Sequence, residues 1–316
     1  MRRTFIKGIQ CKFLEFQKIK IPNTDHLAIE EQFDYVTQGP TQDAPERNLR
    51  KELWQIMCDI DTIAFNELLF YNRKQKAVVQ TLKKYAKRQP EKFNQDFIFE
   101  ELKNWPDIYT KQDLYNHYKN MHDDDLEYNL RKDVPRSDPF NEDFKIEIST
   151  GKNSLYNLLN AYAHFDPEIQ YCQGMNILFA WVLKFMRKGT GKFVDEREIL
   201  EYDEVNSFYI IIHIMYKHQY RHIYDSEISK INEHLTLLEE ILQTSFPKVY
   251  HHLVDEMFIN LVPIFLNIIT TIFVADLQSK TPEIATFIFD VFLLDGESVI
   301  FTLLTQFIGL KQEKIL

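Results

Sequence analysis

The stretch LYNLLNAYAHFDPEIQYCQGMNILFAWVL, Leu155–Leu183, decides how the chain folds. Leu155, Leu158, Leu159 and Tyr162 recur at the i, i+3, i+4, i+7 spacing of one helical face. Asn153 or Ser154 stands where an N-terminal cap belongs. Phe165-Asp166-Pro167 ends that helix, because proline disfavours helical backbone at the residue before it. From about residue 177 to 186 the chain is apolar all round, so the second helix is expected at the centre of a fold rather than on its surface. Between the two helices stands a small polar knot, Gln173-Gly174-Met175-Asn176, which a plain core helix does not need. Gly174 permits close backbone approach, and Asn176 reads as a cap for the helix behind it.

Outward from this point the pattern stays helical. Leu49, Leu53, Ile56 and Met57 recur at helix spacing around Trp54, and a second helical stretch covers Phe65 to Ala86. Residues 87–122 read as short helices and loops. Further helices are expected at about 204–218, 226–243, 247–257, 261–275, 283–294 and 297–310. No run alternates long enough to demand a strand, and only 8 glycines occur in 316 residues, too few for the turns of a many-stranded sheet. The expectation is an all-α fold of two helical lobes with no significant sheet.

Phe258 to Ala275 carries no charged residue, the length at which a membrane span comes into question. Pro263 interrupts it, Asn260 and Asn267 sit inside it, and no basic cluster closes it, so it is expected to be a buried helix pair. GPTQDAPE, Gly39–Glu46, is a linker of turn residues. The organisation expected is a partly ordered basic extension over 1–44, a helical domain over 45–310 and a short tail over 311–316.

The formal net charge is −10, which argues against a nucleic-acid partner. Residues 1–20 depart from that balance, with six Lys/Arg against Glu15 alone, and suit docking on an acidic protein or an anionic membrane. Cys11, Cys58 and Cys172 are dispersed with no CxxC pair, as in a reducing compartment, and the N-terminus lacks the apolar core of a secretory signal. His213, His218 and His222 lie on one expected helical stretch without the glutamate of a zinc motif, and read as a partly exposed face. Asp123-Asp124-Asp125 lacks the glycine and the terminal glutamate of a calcium loop and reads as a solvated acidic loop. No metal site is expected.

Two segments break the helical monotony. In NLRKDVPRSDPF, Asn129–Phe140, Pro135 keeps Val134 from being comfortably helical. Asp133 then either accepts a backbone N–H or orients Arg136, and a capped helix start with a solvated arginine explains the same residues. In the second, Gln173 both donates and accepts, which suits it to hold a water molecule. A plain cap before a core helix explains that segment equally. Taken together, an arginine on a loop and a glutamine at a helix mouth are the two groups that phosphoryl transfer to water uses. The chain has no GxxxxGK[ST] or GxGxxG loop, so a nucleotide would arrive on a partner.

At this point the chain resembles the TBC domain family, the GTPase-activating proteins of Rab-type small GTPases. Arg50-Lys51-Glu52-Leu53-Trp54 resembles the family's RxxxW motif, Leu130 to Ser137 its IxxDxxR motif, and Tyr171-Cys172-Gln173-Gly174-Met175 its YxQGM motif. FDVFLLDGESVIF resembles its WDxFLxxG segment, and the likeness covers about residues 45–310. The resemblance implies that Arg136 and Gln173 are catalytic fingers entering a GTPase site in trans. It implies that Asp133 and Tyr171 hold them, with Gly174 and Asn176 shaping the loop, and that Arg50 and Trp54 are structural. It further implies a Rab partner that carries the GTP and Mg²⁺, no cofactor of the chain's own, and a cytoplasmic place in vesicle trafficking, peripheral on membranes or within a large assembly. Leu130 stands for the usual Ile, Ser137 for Thr, Gln170 for a common Gly and Phe289 for Trp; none of these removes a finger. The alternative is a non-catalytic scaffold or effector of the same fold that keeps the fingers and docks within a larger assembly, as some relatives that lack a finger act only as scaffolds.

Overall fold

The computed structural model describes residues 49–316, apart from 90–91, 93–96, 98–100, 102–103, 139–141, 146–152, 195–196 and 226–228. The N-terminal extension and much of the expected short-helix region over 87–103 lie outside the described residues. The helices are α1 (Leu49–Met57), α2 (Ile60–Arg88), α3 (Lys111–Lys119), α4 (Asp124–Asp133), α5 (Ser154–Phe165), α6 (Met175–Phe185) and α7 (Glu204–Ile212). They continue with α8 (Ser229–Ser245), α9 (Pro247–Tyr250), α10 (Leu261–Thr271), α11 (Val274–Leu277), α12 (Pro282–Asp295) and α13 (Ser298–Ile315).

The capped, proline-stopped helix is α5. Asn153 is its cap, with Oδ1 accepting the N–H of Tyr156 at 3.0 Å. The all-round apolar helix is α6, with Met175, Leu178, Phe179, Trp181, Val182 and Leu183 buried. A fully buried Leu, Met or Phe side chain contributes about 1.5–3 kcal/mol, so this helix anchors the core. It packs on α5 and α7 on one side and on α10 and α11 on the other. The first set extends to α2 and α3 through α7; the second extends to α8 through α10, and from α8 to α9 and α13. Most of the buried apolar side chains from Trp54 to Leu304 form one continuous cluster through both sets, while Tyr71, Ile108 and Leu114 form a second, smaller one.

The fold is all-α, with one local exception. Arg187–Val194 (β1) and Arg197–Tyr202 (β2) form an antiparallel hairpin, Arg187 opposite Tyr202 and Val194 opposite Arg197. Its first strand, RKGTGKFV, has two glycines and no alternation, and its register is irregular between Lys188 and Lys192. Pairing between chain neighbours makes this hairpin, so no hydrophobic period announces it.

The run Phe258–Ala275 departs from the expected burial. Phe265, Ile269 and Thr271 to Val274 are buried, but Met257, Phe258, Val262, Ile264 and Leu266 are exposed. Periodicity shows that such a helix has a face to cover, not how much of it a neighbour will reach. No single helix among the described residues is long and apolar enough to cross a membrane; the stretches Pro247–Glu256 and Leu261–Thr271 meet at 119°.

Candidate functional site

Helix α4 carries the first motif. Asp123 caps it, Oδ1 accepting the N–H of Leu126 at 2.8 Å, so this part of the acidic loop starts a helix. Leu130 and Val134 are buried and fix the helix rotation. Val134 is helical after all (φ −56°, ψ −48°). Pro135 does not break the chain but tightens it into the 3₁₀ turn Val134–Arg136, in whose first turn a missing N–H costs nothing. That turn leaves the Arg136 side chain 69 % exposed while two of its N–H groups are held. Nε donates to the Lys132 carbonyl at 2.8 Å and Nη2 to Asp133 Oδ1 at 2.5 Å. The remaining donors of the guanidinium make no hydrogen bond among the described residues.

The second motif is held from the opposite side. Arg221 forks onto the buried Asp166 carboxylate, with Nε at 3.0 Å and Nη2 at 2.8 Å, and Tyr162 donates to the same carboxylate. Those contacts hold the Asp166 carboxyl below its usual range in spite of the burial that opposes them. The N–H of Gln170 returns to the Asp166 carbonyl at 2.7 Å, and Gln170 itself takes φ +57°, in the left-handed region. The position where the family commonly has glycine is thus a left-handed one occupied here by an L-residue.

Tyr171 then donates its hydroxyl to Asp133 Oδ2 at 2.7 Å. Burial first, and then the Asp133 carboxylate, push that hydroxyl far above its ordinary pKa, so it stays a donor. One carboxylate therefore holds Arg136 on one oxygen and Tyr171, from the loop that carries Gln173, on the other. A second tie runs alongside, from Asn176 Nδ2 to Ser137 Oγ at 2.9 Å, with Ser137 Oγ donating to the Asp133 carbonyl at 2.9 Å. Gln173 is exposed, and its side-chain amide makes no hydrogen bond among the described residues. Gly174 has φ +103°, a conformation that demands glycine, and a Cβ there would also press on Thr270 Cβ at 3.2 Å. Asn176 does not cap α6 from outside, as expected, but reaches back from its first turn to accept the N–H of Gly174 at 3.1 Å.

The model of the Rab-GTPase-TBC domain family matches residues 47–316. The chain belongs to this family. The "Ecotropic viral integration site 5 ortholog" of Drosophila melanogaster is 26 % identical over 54 % of the chain and 19 % of its own length. The "Rab GTPase-activating protein eat-17" of Caenorhabditis elegans is 23 % identical over 84 % of the chain and 27 % of its own length. The chain thus spans about a tenth to a quarter of the length of the curated relatives it matches. The structure titled "Crystal structure of the Chlamydomonas flagellar RabGAP TBC domain" matches 98 % of the chain and 80 % of its own at a TM-score of 0.51 and 11 % identity. At that identity the likeness concerns the fold.

The third TBC motif lies elsewhere in the domain. Arg50 Nη2 donates to Asp290 Oδ2 at 3.2 Å and Trp54 Nε1 to Asp290 Oδ1 at 2.7 Å, joining α1 to α12. The Trp54 ring lies 5.0 Å from Phe185 and 5.1 Å from Phe289, which stands where the family usually has tryptophan. Burial pushes Asp290 up to about 6, outweighing the pull of Arg50 and Trp54. Sequence reasoning passed over Asp290, although it is the partner of both motif residues. Its signal was its place beside Phe289 in the WDxFLxxG-like segment. Sequence reasoning also missed Arg221, for which no motif stands.

The histidines do not form an exposed face. His213 is buried, with Nδ1 on the Cys58 carbonyl at 2.9 Å and Nε2 3.2 Å from His218 Nε2. Burial, and then His218, lower the His213 pKa to about 4, so the pair is neutral. The π-helical turn His213–Lys217 that ends α7 rotates them together. His222 is exposed. Among the described residues no group of three or more His, Cys, Asp or Glu side chains is placed to hold a metal.

Proposed function

We propose that this chain is a GTPase-activating domain that stimulates GTP hydrolysis by a Rab-type small GTPase, with Arg136 and Gln173 as its two fingers. The observation that carries the reading is the shared Asp133 carboxylate, which brings an exposed arginine and the loop of an exposed, uncommitted glutamine side by side. The GTPase would bring GTP and Mg²⁺. Arg136 would then turn its free N–H groups to the γ-phosphoryl oxygens, where charge is spread in the transition state, and Gln173 would orient the attacking water. Asp133 keeps the guanidinium aimed, and Tyr171 keeps Asp133 aimed. The names of the relatives support the partner class, since eat-17 is described as a Rab GTPase-activating protein.

The test is multiple-turnover GTP hydrolysis by a panel of Rab proteins with this chain added. Stimulation of at least one Rab is expected, with Gln173→Ala lowering the rate of the chemical step while leaving the fold intact. A chain that binds a Rab without accelerating any of them is a scaffold, and the finger assignment then fails.

A further inference from the structure

The stretch RKQKAVVQTLKKYAKR, Arg73–Arg88, forms the second half of α2. It holds seven Lys/Arg and no acid, in a chain of net charge −10. At about 100° per residue all seven fall within roughly half of the helix circumference. Each of them is exposed, and none makes an ion pair among the described residues. The opposite half carries Val78, Val79, Leu82 and Ala86, which are half-buried.

The rotation of the helix is fixed by its inner side. Tyr71 Oη donates to the Pro106 carbonyl at 3.3 Å, Asn72 Nδ2 to the Ile108 carbonyl at 3.4 Å and Gln75 Nε2 to the Trp105 carbonyl at 2.9 Å. The cationic side is therefore turned outward as a convex strip about 24 Å long. One turn upstream, the same outward side continues as Phe65, Leu69 and Phe70, which are 60 %, 39 % and 54 % exposed. Lys74 lies 4.3 Å over the Phe70 ring, where the apolar and cationic parts meet.

We infer that this outer face of α2 is a docking surface for an anionic membrane. A row of cations beside exposed aromatic and aliphatic side chains on one helical face suits a lipid surface, which takes up both: headgroup phosphates and carboxylates attract the cations, and the acyl boundary receives the rings. A phosphate backbone has no use for the exposed rings of Phe65 and Phe70, whereas a lipid surface receives them. An acidic peptide calls for a groove, whereas this strip is convex. The strip lies in a different part of the sequence from the loops of Arg136 and Gln173 and from the basic residues of 1–20.

The experiment is co-sedimentation of the full chain with phosphatidylcholine vesicles containing 30 % phosphatidylserine, against phosphatidylcholine alone. The wild type is expected to pellet with the anionic vesicles and to be released by salt, as exposed charge pairs are. Lys83→Glu, Lys84→Glu, Lys87→Glu and Arg88→Glu together are expected to lower partitioning about tenfold or more. The four glutamine substitutions serve as a gentler version that keeps helix propensity should the glutamates disturb folding. Phe65→Ser with Phe70→Ser is expected to remove the binding that survives high salt. A parallel variant carries glutamine for the six Lys/Arg of residues 1–20. Three results would overturn the inference: unchanged binding by both α2 charge variants, binding lost only with the residue 1–20 variant, or a wild type that binds single-stranded RNA or polyglutamate but ignores anionic vesicles.

Discussion

Arg50 and Arg136 are both motif arginines, and each is paired with an aspartate. The Arg50 side chain is 2 % exposed, and its partner Asp290 also receives Trp54. The Arg136 side chain is 69 % exposed, and its partner Asp133 also receives Tyr171. The two constellations have the same chemistry, a guanidinium and an aromatic donor sharing one carboxylate. Burial separates them. Inside the domain, Arg50 Nε and Nη1 find no partner among the described residues, and the guanidinium lies 5.3 Å from the Phe185 ring, so its strength goes into joining α1 to α12. At the surface the same arrangement leaves donors over, and they are available to another molecule. A pair of charges thus serves structure or recognition according to what surrounds it.

The largest expected effect falls on the exposed arginine and on rate alone. An arginine finger is worth about 10³–10⁵ in rate, roughly 4–7 kcal/mol of transition-state stabilisation. Arg136→Ala should therefore remove most of the stimulation of the preferred Rab. Because exposed ion pairs contribute about 0–1 kcal/mol, its midpoint in urea should stay near that of the wild type. A large drop in stability would place Arg136 with Arg50 among the structural arginines. Arg50→Ala should show the reverse, a loss of about 3–5 kcal/mol in chemical denaturation from leaving Asp290 buried without its cation. An Arg50→Ala protein as stable as the wild type would break the comparison.

A smaller effect tests whether burial or pairing governs Asp290. Its folded-state pKa of about 6 lies above the usual value of about 3.9 for an unfolded aspartate. Such a group contributes stability that is full below the unfolded value and is lost as pH rises through 6. The stability gap between wild type and Asp290→Asn should then be larger at pH 5 than at pH 7, by about 1 kcal/mol. A gap that widens toward neutral pH would show that the ion pair outweighs burial. The smallest effect concerns the loop of the exposed site. Gln170→Gly relieves the left-handed backbone at φ +57° and should stabilise the protein by up to about 1 kcal/mol, less the entropy that glycine adds to the unfolded chain. A clear destabilisation would mean that the glutamine side chain carries contacts that outweigh the strain.

The fold was legible wherever one helix reports on itself. The stripe over Leu155–Tyr162, the Asn153 cap and the proline stop appear as read, and the all-round apolar stretch is the central helix. The hairpin at 187–202 was not legible, since chain proximity rather than periodicity forms it. The π-helical turn after α7 was hidden as well, because one inserted residue leaves the apolar pattern of 204–218 almost unchanged while it brings the half-buried His218 against the buried His213. Exposure of Phe258, Val262, Ile264 and Leu266 depends on which neighbour arrives, and hydropathy is silent on that. At the candidate site, Arg136 and Gln173 stood out as residue types on unusual backgrounds. Their tether did not, because a carboxylate three residues from an arginine is equally a helix cap until Tyr171 is seen on its other oxygen. Asp290 was the hardest to see, lying 236 positions from Trp54 in sequence.

The central claim is that the exposed arginine acts as a planar fork on a partner's phosphate and not as one more positive charge. Single-turnover GTP hydrolysis by the preferred Rab, at saturating concentrations of wild type and of Arg136→Lys, tests it most directly. The lysine keeps the charge but loses the fork, so the account predicts a rate close to that of the Rab alone even though the complex is fully formed. A saturated Arg136→Lys complex that hydrolyses GTP as fast as the wild type would contradict it.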